Sequence, residues 1–227
     1  MFTRPVPRWI PLGGFILTCS AGCINAIGLL SFTHSGISHM SGNLSLVGIE
    51  LGRSDFASAA RTVWIIVSFF FGCVLSGIII RESTLQLGRR YGVALTCEAS
   101  LLVLAAWFLR HGQGLGAYFA AAACGLQNAL ATSYSGAVVR TTHVTGMVTD
   151  LGIAVSVWAR RQPVDWRRMR LYLVLLLGFF SGSLLGAIGF LHFRYDTLFF
   201  PAALSGFGGI VYGLYQHRVR LATHKGT

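Results

Sequence analysis

The sequence His39-Met40-Ser41-Gly42-Asn43-Leu44-Ser45 interrupts a long apolar stretch, and it recurs as His143-Val144-Thr145-Gly146-Met147-Val148-Thr149. Both segments carry a His, a Ser or Thr, and a Gly in the same order. Glycine permits backbone angles and close approaches that other residues resist, so each motif predicts a break in a helix. We therefore expect a fold that is organised around two related breaks.

The similarity continues on both sides of the two motifs. In the same order along the chain, Asn25-Ala26 matches Asn128-Ala129, Gly48-Ile49 matches Gly152-Ile153, and Arg90-Tyr91 matches Arg194-Tyr195. Polar matches in a preserved order indicate an internal duplication. We predict two membrane repeats, residues 1–110 and 111–227, that together form one membrane domain.

The composition is that of a membrane protein. Of the 227 residues, 54% are hydrophobic and only 11% are charged, whereas a soluble domain of this size needs a polar surface. The net charge of +11 comes from arginines in short connections between apolar runs, so it is expected to set orientation and does not indicate nucleic-acid binding. The five cysteines lack the spacing of a metal site, so we expect no metal and no cofactor.

Six apolar runs are long enough to cross about 30 Å of hydrocarbon as helices. They cover about residues 9 to 31, 61 to 80, 92 to 109, 114 to 134, 169 to 191 and 197 to 215. Two shorter and more polar segments, about 38 to 52 and 143 to 159, are predicted to be re-entrant helices or short crossings. The predicted fold class is therefore an all-α, polytopic membrane protein with six full spans and two short helices.

The distribution of cations predicts the orientation. In a six-span arrangement Arg53, Arg61, Arg110 and Arg194 lie on one side, and the rest of the eighteen Lys and Arg residues lie on the other. The positive-inside rule then places both termini in the cytoplasm, and eight spans give the same result. Three spans in each half require inverted repeats, and four would make the repeats parallel. We favour three plus three because both short segments open with a break.

The two breaks are the predicted functional site. Ser41 and Thr145 are expected to cap the short helices that follow. A helix N-terminus at membrane depth presents free backbone NH groups and a partial positive charge, which suit an anion. His39 and His143 are candidate hydrogen-bond partners or proton carriers. The alternative is that these residues only satisfy backbone groups that the break leaves free.

Other polar residues in apolar runs complete the candidate site. Asn25 and Asn128 precede the breaks, Glu98 is an ionisable group within a span, and Asp150 lies in the second short helix, where polar side chains must face protein or a cavity. Arg140, just before the second break, is a candidate for attracting anions or a topology signal. The predicted substrate-binding residues are Asn25, His39, Ser41, Gly42, Asn43, Glu98, Asn128, His143, Thr145, Gly146 and Asp150.

These motifs resemble those of a known family. The sequence from Asn25-Ala26-Ile27-Gly28 through Met40-Ser41-Gly42-Asn43-Leu44, with Gly125-Leu126-Gln127-Asn128-Ala129 and Thr141-Thr142-His143-Val144-Thr145-Gly146, is similar to the YoaK-type bacterial membrane proteins, a domain of unknown function with about six spans. The resemblance covers nearly the whole chain, although His39 departs from the usual pattern. It implies a bacterial inner membrane location and supplies no substrate.

The sequence leaves three functions open. The first is a small transporter or channel, expected to form a homodimer, for an anion or small polar metabolite held between the breaks. The second is an intramembrane hydrolase that uses Ser41 as its nucleophile with a histidine, although Thr145 replaces serine in the second half. The third is a non-transporting scaffold in the lipid bilayer, whose polar groups at depth should tolerate apolar replacement.

Overall fold

The computed structural model describes residues 9–31, 36–80, 90–134 and 140–224. Within these ranges the chain is all helical and contains no strand. The helices are α1 (Trp9–Leu30), α2 (Met40–Gly52), α3 (Phe56–Ile79), α4 (Arg90–Arg110), α5 (Leu115–Tyr134), α6 (Val144–Ala159), α7 (Trp166–Phe193) and α8 (Phe199–His224), with a short 3-10 helix, Arg194–Leu198, between the last two. The predicted all-α class is confirmed.

The two short helices each form a tight hairpin with the long helix that follows. After α2 and after α6 the chain turns through a left-handed residue, Ser54 with φ 59° or Arg161 with φ 57°. An aspartate then caps the next helix: Asp55 accepts from the Ser58 amide and begins α3, and Asp165 accepts from two first-turn amides and begins α7. These caps explain why both long helices begin several residues before the predicted positions.

The outer surface and the helix lengths are those of a membrane protein. Four stretches are long and apolar enough to cross a bilayer, namely Pro11–Leu30, Phe56–Ile79, Arg90–Arg110 and Trp166–Leu214, the last of which includes α7 and part of α8. Large apolar side chains on α3, α7 and α8 are 60% to 71% exposed, among them Phe70, Phe71, Phe180, Leu191 and Phe207. A continuous apolar surface of this kind needs lipid to cover it.

Helices α1 and α7 pack with almost no space between their backbones. A Cβ on Gly178, Gly182 or Gly186 would collide with the backbone of Phe15, Cys19 or Cys23, in that order. Because the contacts advance together along both helices, α1 and α7 run in the same direction. Small residues at such an interface allow the close approach that holds helices together in a membrane.

Helices α3 and α5 repeat this packing. A Cβ on Gly72 would collide with the Ala122 carbonyl, and a Cβ on Gly125 with the Phe69 carbonyl. The Cys73 thiol donates to the Gly125 carbonyl at 3.2 Å, as the Ser183 hydroxyl of α7 donates to Gly22 of α1 at 3.3 Å. The two helix pairs are therefore built in the same way, each from one helix of each half.

The remaining helices close the bundle. Gly92, Leu95 and Ala99 of α4 contact Gly209, Gly208 and Gly206 of α8, so these two helices run in opposite directions. Helix α5 follows α4 after a short turn, and Gly116 packs against Ala105 and Leu109. Helix α5 contributes three buried alanines to the core, Ala120, Ala121 and Ala123, and small side chains let the neighbouring helices pack closely against it.

Candidate functional site

The first break, residues 36–43, is held against α1 by Asn25 and is closed internally by Asn43. Asn25 Oδ1 accepts hydrogen bonds from Ser38, at 3.3 Å from the amide and 3.0 Å from the hydroxyl. Asn43 Nδ2 donates to the Gly36 carbonyl at 2.9 Å. A Cβ on Gly36 would lie 2.8 Å from the Cβ of His39, closer than real Cβ atoms approach, so glycine is needed there. Residues before α2 therefore fold back to the level of Asn25.

The second break, residues 140–147, is held by the same kind of hydrogen bond, from a hydroxyl of the break to an asparagine of a long helix. Thr141 Oγ1 donates to Asn128 Oδ1 at 3.3 Å, and the two residues are 13 positions apart, as Asn25 and Ser38 are. Thr141 is fully buried, whereas its neighbour Arg140 is exposed. In the first break the residue before Ser38 is Ile37, which is buried and apolar. The residue before Thr141 in the second break is instead the cation Arg140.

The helix caps differ from the sequence prediction. The N-cap residues of α2 and α6 are His39 and His143, and neither side chain makes a capping hydrogen bond. Ser41 and Thr145 lie inside the first turn, so the prediction that they act as N-caps is wrong. The chain is already helical at Met40, because the Asn43 amide donates to the His39 carbonyl at 3.0 Å. Within the described residues, no side chain caps the first-turn amides of either helix.

The predicted hydroxyl residues lie on one exposed face of each short helix, Ser41 with Ser45 on α2 and Thr145 with Thr149 on α6. His39 and His143 are exposed at the starts of the two helices. The hydroxyls of Ser45 and Thr149 donate to the carbonyls one turn earlier, at 3.1 Å and 3.0 Å. The glycines of the motifs differ: a Cβ on Gly42 has room, at 3.6 Å from the His39 ring, whereas a Cβ on Gly146 would collide with the His143 ring.

Asn43 is the buried member of the first motif. Its side chain is 1% exposed, and its Oδ1 has no hydrogen-bond partner among the described residues. A buried acceptor without a donor costs free energy, so the atom is available to a bound molecule that carries an NH or OH group. The corresponding residue of α6, Met147, is apolar and buried.

Glu98 lies fully buried where α4, α5 and α8 meet. Its Oε1 accepts from Gln127 Nε2 at 2.8 Å and from the Ser205 hydroxyl at 2.9 Å. Glu98 Oε2 and Gln127 Oε1 are both buried and have no partner among the described residues. Gln127 directly precedes Asn128, so α5 carries one side chain to Glu98 and the next to the second break.

Asp150 is held within the α6–α7 hairpin. Its Oδ2 accepts from Tyr172 at 2.8 Å and from Arg168 Nη2 at 3.1 Å, beside a cavity of about 240 Å³ between the two helices. Glu50, at the end of α2, accepts from Thr62 of α3 at 3.2 Å. The structure therefore joins both carboxylates to the long helices, and it does not bring Asp150 to the other predicted site residues.

Several residues of the site were absent from the sequence prediction. Ser38, Thr141 and Gly36 anchor the breaks, and Ser205 completes the environment of Glu98. The equal spacing from each Asn to the hydroxyl that it holds was a signal in the sequence. No local pattern links Ser205 to Glu98, because the two lie 107 positions apart.

Comparison with known proteins gives a family without an assigned function. A family model described as "Protein of unknown function (DUF1275)" matches residues 13–211. Neither a curated protein nor a solved structure matches this chain. The match includes both breaks and the helices that carry their anchors.

Proposed function

The chain belongs to the DUF1275 family of unknown function, in agreement with its YoaK-type motifs, and we propose that it is a small membrane transporter or channel whose substrate binds at the two breaks. One observation carries the proposal: the break held by Asn25 and Ser38 recurs as the break held by Asn128 and Thr141. Paired broken helices in two related halves are the usual substrate site of transporters with inverted repeats.

The helix directions support an inverted arrangement. Ile65 and Phe69 of α3 cluster with the first part of α5, and Ile79 and Ile80 with its later part, so α3 and α5 run together. Similarly, α1 runs with α4, since Leu17 packs against the cluster that contains Leu95, and Ile27 belongs to the cluster that contains Leu109. Thus α1, α4 and α7 run one way, and α3, α5 and α8 run the other. Matching helices of the halves 1–110 and 111–227 are opposed.

In this arrangement the two short helices do not cross the membrane. Helix α2 turns tightly into α3 and therefore runs in the direction of α1, so the chain between α1 and α2 must return toward the membrane interior. With 13 and 16 residues, α2 and α6 are about 20 Å and 24 Å long, shorter than the hydrocarbon core of about 30 Å. We infer six spans and two re-entrant helices.

The positions of the arginines predict which end of the bundle faces the cytoplasm. The turns at Arg53, Arg110 and Arg194 lie at one end of the bundle, and the turn of residues 160–168, with four arginines, lies at the other. By the positive-inside rule the second end and both termini face the cytoplasm. The resemblance to the YoaK-type proteins implies that the membrane is the bacterial inner membrane. The exposed polar faces of α2 and α6 then lie at membrane depth, where they border a water-filled path or a second copy in a homodimer.

The groups at the breaks suit a small anion or polar metabolite. Uncapped first-turn amides of α2 and α6 are donors with a partial positive charge, and Arg140 adds a full charge beside the second break. His39 and His143 add ring nitrogens, and Asn43 Oδ1 adds an unpaired acceptor. No observation favours a hydrolase, since no described histidine or carboxylate hydrogen-bonds to the Ser41 hydroxyl.

Solute flux into proteoliposomes tests the proposal. Light scattering would follow the change in vesicle volume after a gradient of one solute is imposed, with chloride, nitrate, formate, acetate, phosphate, urea and glycerol tested in turn. We expect flux of at least one solute above that of protein-free vesicles, and a reduction of at least about tenfold in Gly42→Leu, equivalent to roughly 1.4 kcal/mol. Gly77→Leu, at an exposed glycine of α3 with open space, is the matched control. Absence of flux for every solute, or equal flux in Gly42→Leu, would overturn the proposal.

A further inference from the structure

The carboxyl group of Glu98 and the amide of Gln127 share one of the two hydrogen bonds that such groups can form. One hydrogen bond joins them, from Gln127 Nε2 to Glu98 Oε1 at 2.8 Å, and the other oxygen of each group is buried without a described partner. A carboxylic acid and a primary amide can form two parallel hydrogen bonds, one in each direction. The second bond requires a hydrogen on Glu98 Oε2, since both free atoms are otherwise acceptors.

The described residues around Glu98 include weak acids and no cation. None of the described ion pairs includes Glu98. Arg90 and Arg110 lie at the two ends of α4, 8 and 12 residues away, or about 12 Å and 18 Å along the helix. The ionisable groups that interact with it are the neutral acids Tyr91 of α4 and Cys124 of α5, whose own neighbours are Tyr212 of α8 and Cys23 of α1. A buried carboxylate without a positive partner is costly, and binding a proton removes that cost.

Helix α5 connects this carboxyl group to the second break alone. Gln127 contacts Glu98, and the adjacent Asn128 holds Thr141 at the start of the second break. In the first half the residue before Asn25 is Ile24, which is buried and apolar and offers no such link. A change in the Glu98–Gln127 pairing therefore acts on the second break and leaves the first without a direct connection.

We propose that Glu98, with Gln127 and Ser205, is a proton-binding site, and that its proton controls the second break. With the proton on Oε2, Glu98 pairs with both polar atoms of Gln127 and α5 holds Asn128 against Thr141. When the proton leaves, the Oε2 charge repels Gln127 Oε1 and this part of α5 is released. The proton site stands on its own geometry, and only its use in transport rests on the proposed function.

Infrared difference spectroscopy tests the proton site on the purified protein in lipid. We expect wild type at neutral pH to show the C=O stretch of a protonated carboxyl group, and Glu98→Gln to lack it. Glu50→Gln, which removes the carboxyl group at the end of α2, should keep the band. A wild-type protein without the band, or a Glu98→Gln variant that retains it, would overturn the assignment.

Hydrogen–deuterium exchange tests the control of the break without any transport assay. We expect exchange in residues 140–149 of wild type, corrected for the intrinsic rate, to become faster as pH rises and Glu98 loses its proton. In Glu98→Gln, whose neutral amide imitates the protonated acid, exchange should stay slow at every pH. Residues 36–45 of the first break are the internal control, and their exchange should change neither with pH nor in Glu98→Gln. Equal responses of the two breaks, or a pH response that survives in Glu98→Gln, would contradict the proposal, whatever the flux experiment gives.

Discussion

Asn25 accepts a hydrogen bond from the Ser38 hydroxyl at 3.0 Å, across 13 positions of the chain. Asn128 holds Thr141 in the same way and at the same separation. In both cases an asparagine near the end of a long helix holds the segment that folds back beside it. Asn25 and Asn128 therefore support the breaks. Under the proposed function, the groups left to bind a substrate are the first-turn amides of α2 and α6, the two histidines, Arg140 and Asn43.

Loss of either asparagine should loosen its break. Asn25→Leu leaves the Ser38 amide and hydroxyl without their acceptor, and Asn128→Leu does the same to the Thr141 hydroxyl. Each should lower the free energy of unfolding by about 1 to 3 kcal/mol, the cost of a buried polar group that loses its partner. Reversible unfolding in mixed detergent measures the change. Thr96→Ala is the control, because that hydroxyl bonds only to the Gly92 carbonyl of its own helix. Unchanged stability in both Asn variants would show that the anchors are dispensable.

The close helix pairs should not tolerate a single added methyl group. Gly182→Ala and Gly72→Ala place a Cβ on the carbonyl oxygens of Cys19 and Ala122, so the backbones must separate. We expect each to cost about 1 to 3 kcal/mol, the usual range for overpacking. Gly77→Ala, where a Cβ meets open space, should be neutral. If all three variants unfold at the same denaturant concentration as wild type, the described packing is incorrect.

The two motif glycines should respond differently to alanine. In Gly146→Ala the new Cβ needs the space of the His143 ring, so the ring must turn away from the start of α6. In Gly42→Ala the nearest atom of His39 is 3.6 Å away, and the ring can stay. We expect the rate of histidine modification by diethyl pyrocarbonate to change at His143 in the first variant and to stay constant at His39 in the second. Equal behaviour of the two histidines would argue against the described ring positions.

The cap of α3 should weaken in acid. Hydrogen bonds from the side chain and amide of Ser58 lower the pKa of Asp55 below its ordinary value, and Arg61 lowers it further. The stabilisation is therefore present above the pKa of the unfolded state, about 3.9, and is lost as pH falls through the lower folded pKa. In Asp55→Asn, which keeps a capping oxygen without a charge, this part of the pH dependence should disappear. Unfolding curves across that pH range provide the comparison, and an identical acid response in both proteins would exclude the effect.

The sequence was sufficient for the helices and for the two breaks. Apolar runs of membrane length, and a repeated His, Ser or Thr and Gly, are local patterns, so α2 and α6 were placed within two residues of their observed starts. The N-caps were misplaced because a Ser or Thr near a helix start is a good cap only if the backbone before it is still extended. At Ser41 and Thr145 the helix has already begun.

The partners of the buried polar groups required the structure. Glu98 was recognisable as an ionisable residue in an apolar run, but its neighbours Gln127 and Ser205 come from helices that are distant in sequence. Asp150 was an equally good candidate for the site by its position in the second short helix, yet Arg168 and Tyr172 hold it in the α6–α7 hairpin. Such pairings depend on which faces of the helices meet, and hydropathy does not encode that.

The sidedness of two turns tests the inverted arrangement most directly, because six spans with re-entrant α2 and α6 place these turns on opposite sides of the membrane. Ser54→Cys lies in the turn between α2 and α3, and Gln162→Cys in the corresponding turn between α6 and α7, both at exposed positions. With a membrane-impermeant maleimide we predict that intact cells are labelled at residue 54, and that residue 162 is labelled only after the membrane is permeabilised. Labelling of both cysteines from the same side would contradict the inverted arrangement, because it is the result that two parallel halves of four spans each would give.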